Sequence, residues 1–215
     1  MLKKIDTIIF ETFKRTVDIL GGLFLMILFS PIILITSLLV KFTSSGPIFF
    51  SQIRVGKDSK PFKMYKFRTM YTGDNDLRLK KYPELYKKYK KNGWKLSLHE
   101  DPRLTKIGKI IRVLSLDEFP QFYNVLRGEM SLVGPRAYRE EELLEYSKIF
   151  PHTKHLIEDI RSVKPGITGL WQTSGRNDVN FEQRAKLDSQ YIRHRSIFQE
   201  LKILLKTPFC MISRW

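Results

Sequence analysis

One long apolar run interrupts the otherwise mixed pattern of hydrophobic and polar positions, and it lies near the start of the chain: TVDILGGLFLMILFSPIILITSLLVKF. As a straight helix, residues 16–40 would reach about 37 Å at 1.5 Å per residue. That is enough to cross a hydrocarbon core of about 30 Å. The run is too long for a signal-peptide core, and no small-residue cleavage site follows it. It therefore predicts a membrane segment. Ser30 and Pro31 fall near its middle. Proline removes a backbone donor and clashes with the preceding turn, so a break is predicted there, and the Ser30 hydroxyl can bond to a freed carbonyl. Two arrangements stay open on this pattern: a kinked helix that spans, and a helix–break–helix that enters and leaves by one face.

After the run the period changes. In PIFFSQIRVGKDSKPFKMYKFRTM, residues 48–55 are rich in β-formers, GKDSK reads as a turn, and residues 62–67 alternate roughly between apolar and basic. The pattern predicts a β-hairpin that presents Lys63, Lys66 and Arg68. YPELYKKYKKNGWK has aromatic residues at near-helical spacing among lysines. It predicts an amphipathic helix, either solvated or lying on a membrane surface. KPGITGLWQTSGRND, rich in Gly, Ser and Thr, reads as a loop. The C-terminal SIFQELKILLKTPFCMISRW carries an apolar stripe beside Lys202, Lys206 and Arg214. No internal repeat or low-complexity tract is present.

Composition sharpens this picture. The 215 residues are 42% hydrophobic and 13% aromatic, so a core can form and disorder throughout is excluded. The formal net charge of +16 calls for an anionic neighbour: nucleic acid, anionic lipid or a phosphorylated substrate. Cations flank the apolar run on both sides, with Lys3, Lys4, Lys14 and Arg15 before it and Lys41, Arg54, Lys57, Lys60, Lys63, Lys66 and Arg68 after it. Positive charge marks the cytoplasmic side, so both ends fit that side. The single Cys210 excludes an internal disulfide framework and a Cys-rich zinc site. His152 and His155 are close, but no third ligand is near, and they read as surface residues.

In this basic chain, IIRVLSLDEFPQFYNVLRGEMSLVGPR sets two adjacent acids, Asp117 and Glu118, shortly after Arg112. Ser115 to Glu118 fits S-x-x-E, a helix capping box. Pro120 complicates that register, because it would fall after the first turn. In either register the acids occupy the first turn of a helix, where the macrodipole favours ionised carboxylates. The competing reading is chemical. A carboxylate can attack phosphorus and form an acyl phosphate. Such a step needs a cation held by carboxylate oxygen, usually Mg²⁺, and Arg or Lys on the phosphate oxygens. Glu118 would hold the metal or handle a proton. The arginines at hand are Arg112, Arg136 and Arg176. Neither a P-loop nor G-x-G-x-x-G is present, which disfavours a Walker NTPase or a Rossmann enzyme.

Four segments in order give the chain a family resemblance: KRTVDILGGLFLMILFSPIILI, GPIFFSQIRVGKDSKPFKMYKFRTM, DPRLTKIGKIIRVLSLDEFPQFYNVLRGEMSLVGPR and KPGITGLWQTSGRN. Over residues 14–191 it resembles the bacterial sugar transferases, the monotopic phosphoglycosyl transferases that begin capsule, exopolysaccharide and O-antigen assembly. The resemblance implies transfer of a sugar-1-phosphate from a UDP-sugar to a polyprenol phosphate, undecaprenyl phosphate, with release of UMP. It implies a ping-pong route through a phosphosugar–Asp intermediate, with Mg²⁺ as cofactor. Asp117 matches the nucleophile and Glu118 its partner, both also candidate metal ligands. Arg112 matches a phosphate-binding arginine and Arg176 a nucleotide-sugar loop residue. Arg136, Lys66 and Arg68 complete the candidate substrate-binding set. Ser30 and Pro31 match the break of a re-entrant membrane helix.

The implied fold is α+β and mainly helical, a re-entrant segment over residues 1–42 followed by a catalytic domain over 43–215 with a small β-hairpin and membrane-surface helices. The implied location is the cytoplasmic face of the bacterial inner membrane, in contact with membrane lipid. Oligomeric state stays open, a homodimer included. One departure stands out: the family's Pro-Arg-Pro reads Pro135-Arg136-Ala137. The insert over residues 71–98 has no assigned role. Two other readings remain. A basic membrane-anchored protein could bind nucleic acid, but that calls for neither the Ser-Pro break nor the acid pair, and no nucleic-acid partner is expected. A transferase moving sugar alone would release a nucleoside diphosphate.

Overall fold

The computed structural model describes residues 2–91, 96–174 and 180–211. In chain order its elements are α1 (Leu2–Leu28), α2 (Ser30–Thr43), β1 (Phe49–Val55), β2 (Pro61–Phe67), α3 (Asn75–Lys80), α4 (Pro83–Lys91), α5 (Lys106–Val113) and α6 (Gln121–Arg127). There follow β3 (Ser131–Val133), α7 (Glu140–Ile149), α8 (Lys154–Arg161), β4 (Gly166–Thr168), α9 (Phe181–Arg193) and α10 (Ile197–Met211). Among the described residues the protein is mainly helical, with two small two-stranded sheets, β1–β2 and β3–β4.

The apolar run is broken where the sequence predicts. The Phe29 amide still donates to the Leu25 oxygen at 2.9 Å, and a new helix then starts at Ser30. Pro31 sits in the first turn of α2, where its missing N–H costs nothing. The helix axes bend by 61° at this break. Among the described residues no single helix is long and apolar enough to cross a membrane, but residues 8–28 and 30–43 pass that test as a bent pair.

Two compact units make up the chain. The first comprises residues 2–29, 51–65 and 121–211. Here α1 packs on α6 and β3, held by three polar side chains of KRTVD. The Lys14 ammonium donates to the Val133 oxygen at 2.9 Å and to Glu200 at 2.7 Å. The Arg15 guanidinium donates to the Val125 and Leu126 oxygens, at 2.7 and 2.8 Å, at the end of α6. Asp18 accepts from the Ser131 hydroxyl and the Leu132 amide, each at 2.8 Å. The approach is close: a Cβ at Gly21 would sit 2.8 Å from Leu132 Cδ1, and that side chain would have to shift. Lys14 and Arg15, counted by sequence as topology-setting flank charges, thus also fasten α1 to the unit.

Behind this contact, β3 and β4 run parallel with Ser131 opposite Gly166 and Val133 opposite Thr168. The Gly, Ser and Thr content of residues 164–178 predicts a loop throughout. The structure corrects that, because the bare glycine backbone of β4 can pair with an otherwise isolated strand. Residues 175–178 of that segment, including Arg176, lie outside the described residues. Tyr138, Leu143, Leu156, Ile157, Ile160, Phe181 and Ala185 form one core cluster, and Val133, Tyr191 and Ile203 a second. A capping box between Asn180 and Gln183 starts α9.

The second unit comprises residues 30–50 and 66–120. Arg68 organises one end of it. Its guanidinium donates to the main-chain oxygens of Pro47, Ser45, Ser44 and Val40 at 2.6, 2.5, 2.9 and 3.3 Å. These include carbonyls that the end of α2 leaves without helical partners. Asp101 and Arg103 form a buried two-point ion pair at 2.8 and 2.7 Å, and the Arg103 guanidinium lies 4.5 Å from the Tyr89 ring centroid. That contact seats α4, the helix predicted from YPELYKKYKK, against the loop before α5.

The predicted hairpin is present as β1 and β2. A 3-10 turn, Lys57–Ser59, joins them, with Asp58 and Ser59 left-handed at φ 54° and 60°.

Candidate active site

Positioning begins with α5. The Thr105 hydroxyl accepts the Gly108 amide at 2.9 Å and caps the helix. The Thr105 amide donates to the Thr69 oxygen at 3.0 Å. Helix and strand end meet so closely that a Cβ at Gly108 would lie 2.0 Å from the Thr69 oxygen. Only glycine permits that. Arg112, four residues along the same helical face, is thereby brought to Thr69, and its Nε donates to the Thr69 hydroxyl at 2.9 Å.

The chain then reverses at Ser115, which is left-handed at φ 55°. Its amide donates to the Arg112 oxygen at 3.0 Å, so Ser115 ends α5 in the manner of a left-handed C-terminal residue. The capping-box reading does not hold, because the Ser115 side chain makes no cap hydrogen bond to the following turn. Asp117 and Glu118 lie in a 3-10 turn, Leu116–Glu118, and α6 starts only after Pro120. A left-handed non-glycine residue is uncommon and costs free energy that the surrounding structure must offset. It stands directly beside the acid pair.

Both acids close on one cation. The Lys66 ammonium lies 2.8 Å from Glu118 Oε1 and 3.3 Å from Asp117 Oδ2. Burial drives the Asp117 carboxyl above the usual aspartate range; Lys66 opposes the rise, Glu118 adds to it, and Arg112 opposes it. Burial acts to lower the Lys66 ammonium, but Glu118 and Asp117 outweigh it and hold Lys66 above the usual lysine range. Burial lowers Arg112, against the attraction of Asp117 and Asp101.

Asp117, Glu118, Lys66 and Arg112 therefore form one constellation within the second unit. Arg68, two residues from Lys66, is buried and spends its guanidinium on carbonyls. The sequence did not single out Thr69, Asp101 or Arg103. The only signal for Asp101 and Arg103 was DPRLT just ahead of α5.

Arg136 belongs to the first unit. Its amide donates to Asp188 Oδ2 at 3.3 Å, and the Tyr138 hydroxyl donates to the same oxygen at 3.1 Å. The Arg136 and Arg184 guanidinium groups lie 5.7 and 4.6 Å from the Trp171 ring centroid. Asp188 is fully buried, and its Oδ1 has no hydrogen-bond partner among the described residues. Burial pushes its carboxyl up to about 7, against two hydrogen bonds and two arginines that lower it.

The carboxylate oxygens already share a cation, so their arrangement suits a metal ion. No group of three or more His, Cys, Asp or Glu side chains encloses an ion among the described residues. Mg²⁺ is commonly held by one or two carboxylates together with substrate phosphates, and the pair fits that donor set.

Comparison with known proteins supplies the family. A family model described as bacterial sugar transferase matches residues 9–214. The chain is 42% identical over 205 residues to the exopolysaccharide production protein ExoY of Rhizobium meliloti, covering 94% of this chain and 86% of that protein. It is 38% identical over 205 residues to the undecaprenyl-phosphate galactose phosphotransferase of Salmonella typhimurium, covering 94% of this chain and 40% of that protein. It is 40% identical over 202 residues to the UDP-glucose:undecaprenyl-phosphate glucose-1-phosphate transferase of Klebsiella pneumoniae, covering 92% of this chain and 39% of that protein. The chain thus spans about two fifths of the length of these last two relatives.

Proposed function

The chain belongs to the bacterial sugar transferase family, and on that footing we propose that it transfers a sugar-1-phosphate from a UDP-sugar to undecaprenyl phosphate in the first membrane step of capsule, exopolysaccharide or O-antigen assembly. The observation that carries this reading is the shared Lys66 ammonium between Asp117 and Glu118, with Arg112 acting electrostatically on Asp117. A buried carboxylate kept beside two cations is suited to attack phosphorus.

In the first step an Asp117 oxygen attacks the phosphorus that carries the sugar. The bond from that phosphorus to the bridging oxygen breaks, and UMP leaves with the electron pair. In the second step a phosphate oxygen of undecaprenyl phosphate attacks the same phosphorus. The acyl-phosphate bond breaks, the Asp117 carboxylate is restored, and the undecaprenyl-diphospho-sugar forms. Lys66 and Arg112 hold phosphate oxygens during both displacements. Asp117 and Glu118 would hold Mg²⁺, which when bound neutralises charge developing on the phosphates.

The membrane seat fits the same reading. On α1, Leu20, Phe24 and Ile27 are exposed, and on α2 Leu34, Ile35 and Phe42. A broken helix with such exposed apolar faces suits re-entry from the cytoplasmic face of the inner membrane better than burial in a soluble core.

The test is Asp117→Asn, assayed with a panel of UDP-sugars and undecaprenyl phosphate in detergent. The variant should fold and insert, yet release UMP at least about a thousandfold more slowly. Mass spectrometry of the wild type, given donor without acceptor, should find a phosphosugar adduct on Asp117. Turnover by the Asn variant near the wild-type rate would overturn the covalent route.

A further inference from the structure

Asn124, on α6, is a completely buried polar side chain that takes no part in the chemistry above. Its carboxamide is fully engaged. Oδ1 accepts from the Tyr65 amide at 3.1 Å, and Nδ2 donates to the Lys63 oxygen and to Glu129 Oε2, each at 2.7 Å. The network fixes which way the carboxamide points. Turned over, its oxygen would face two acceptors and its nitrogen a donor.

Lys63 and Tyr65 both belong to β2. Main-chain groups of alternate residues point to the same edge of a strand, so Asn124 meets one edge of β2 at two points, as a neighbouring strand would. Beside it, the Tyr65 and Tyr123 rings pack edge to face with 5.7 Å between centroids. The last part of β2 is thereby fastened to α6.

The next residue along β2 is Lys66, whose Cα lies within about 3.8 Å of the Tyr65 Cα by covalent geometry alone. Its ammonium reaches Glu118 at 2.8 Å and Asp117 at 3.3 Å. The longer contact is near the limit of a hydrogen bond, so a displacement of about 1 Å would break it. A lysine side chain is flexible, and a fixed backbone origin limits where its ammonium can go. We propose that Asn124 is a positioning residue of the transfer reaction, which holds the end of β2 so that the Lys66 ammonium stays on Asp117. The inference deepens the reading above and takes the role of Lys66 from it.

The experiment compares the full wild-type chain with Asn124→Leu, which keeps the side chain's size and removes all three hydrogen bonds. In the folded fraction, kcat for UMP release should fall about tenfold. In a Lys66→Met background the same substitution should cost less than about twofold, because the contact it protects is already gone. An undiminished cost in that background overturns the proposal in favour of a general structural role. Val125→Ala is the matched control. Val125 is fully buried on α6 and faces α1, with its Cγ1 3.4 Å from where a Cβ at Gly22 would lie. It should lower Tm and leave kcat of the folded fraction unchanged. An equal fall in kcat there also overturns the proposal.

A second readout needs no turnover. Acetylation of Lys66 by N-hydroxysuccinimidyl acetate, read by peptide mass spectrometry, should speed up about tenfold in Asn124→Leu as the ammonium leaves its carboxylates. Acetylation of the exposed Lys148 should not change. Unchanged Lys66 acetylation overturns the proposal. Asn124→Asp, which keeps the acceptor for Tyr65 and loses the donors, should show the same changes to a smaller degree, and it carries the test where Asn124→Leu does not fold. A wild type that releases no UMP sinks the transfer reading, while acetylation still decides whether Asn124 holds Lys66 in place.

Discussion

Lys66 stands 2.8 Å from Glu118, and the same ammonium reaches Asp117 at 3.3 Å. Two neighbouring carboxylates would otherwise compete for a proton. The lysine favours the ionised form of Asp117, against the burial that raises its carboxyl.

Removing that ammonium should move the pH profile. Reaction requires ionised Asp117, whose carboxyl already titrates above the usual aspartate range because of burial. Activity is therefore lost as pH falls through that raised value. In Lys66→Met the acid limb should shift to still higher pH, because the strongest opposing charge is gone. At the optimum, the rate should fall by about 10- to 100-fold, the worth of one charge-assisted contact. A pH–rate profile of UMP release checks both. An unshifted acid limb would separate Lys66 from Asp117.

Arg68 should matter for stability before chemistry. It serves the oxygens of Pro47, Ser45, Ser44 and Val40 with a planar fork that lysine does not possess. Arg68→Lys should cost about 2–3 kcal/mol through buried carbonyls left unpaired, a fall in Tm on the order of 5 °C. The donor KM of the folded fraction should stay near wild type. A raised KM at unchanged Tm would return Arg68 to the substrate-binding set.

Asp188 should make stability depend on pH in the sense opposite to a salt-bridged acid. Its folded value of about 7 lies above the ordinary value of 3.8. Between these the folded protein holds a proton that the unfolded chain has lost. Stability should thus fall as pH rises from about 4 to about 7, by about 1 kcal/mol per unit, and level off above. Asp188→Asn should flatten that slope. Chemical denaturation at several pH values measures it, and a wild-type slope of the other sign would refute the assignment.

Both flanks of the broken helix should face the cytoplasm. Single cysteines placed at Lys4 and Lys57, in a Cys210→Ser background, should resist an impermeant reagent added to intact cells and react after lysis. Periplasmic labelling at position 4 would mean that the helix spans. Replacing Ser30 and Pro31 by Leu and Ala should favour that outcome, since a continuous helix would be restored.

The sequence alone located the break at Ser30-Pro31, because proline's missing donor acts through the residue itself. It located the hairpin, because period-2 patterning and a GKDSK turn are local signals. It also singled out Asp117, Glu118 and Arg112, as acids and a base set within one short stretch. Tertiary structure decided what no local pattern encodes. Ser115 ends α5 and is not the start of a capping box, since Gly108 lets the helix settle onto Thr69 and the chain must then reverse. Lys66 reaches across the sequence to both acids, while Arg68, on a backbone only two residues further along, is consumed by carbonyls. β4 became a strand only because β3 offered it partners. In each case the deciding contact joins segments far apart in the chain, and its free energy appears only once they pack together.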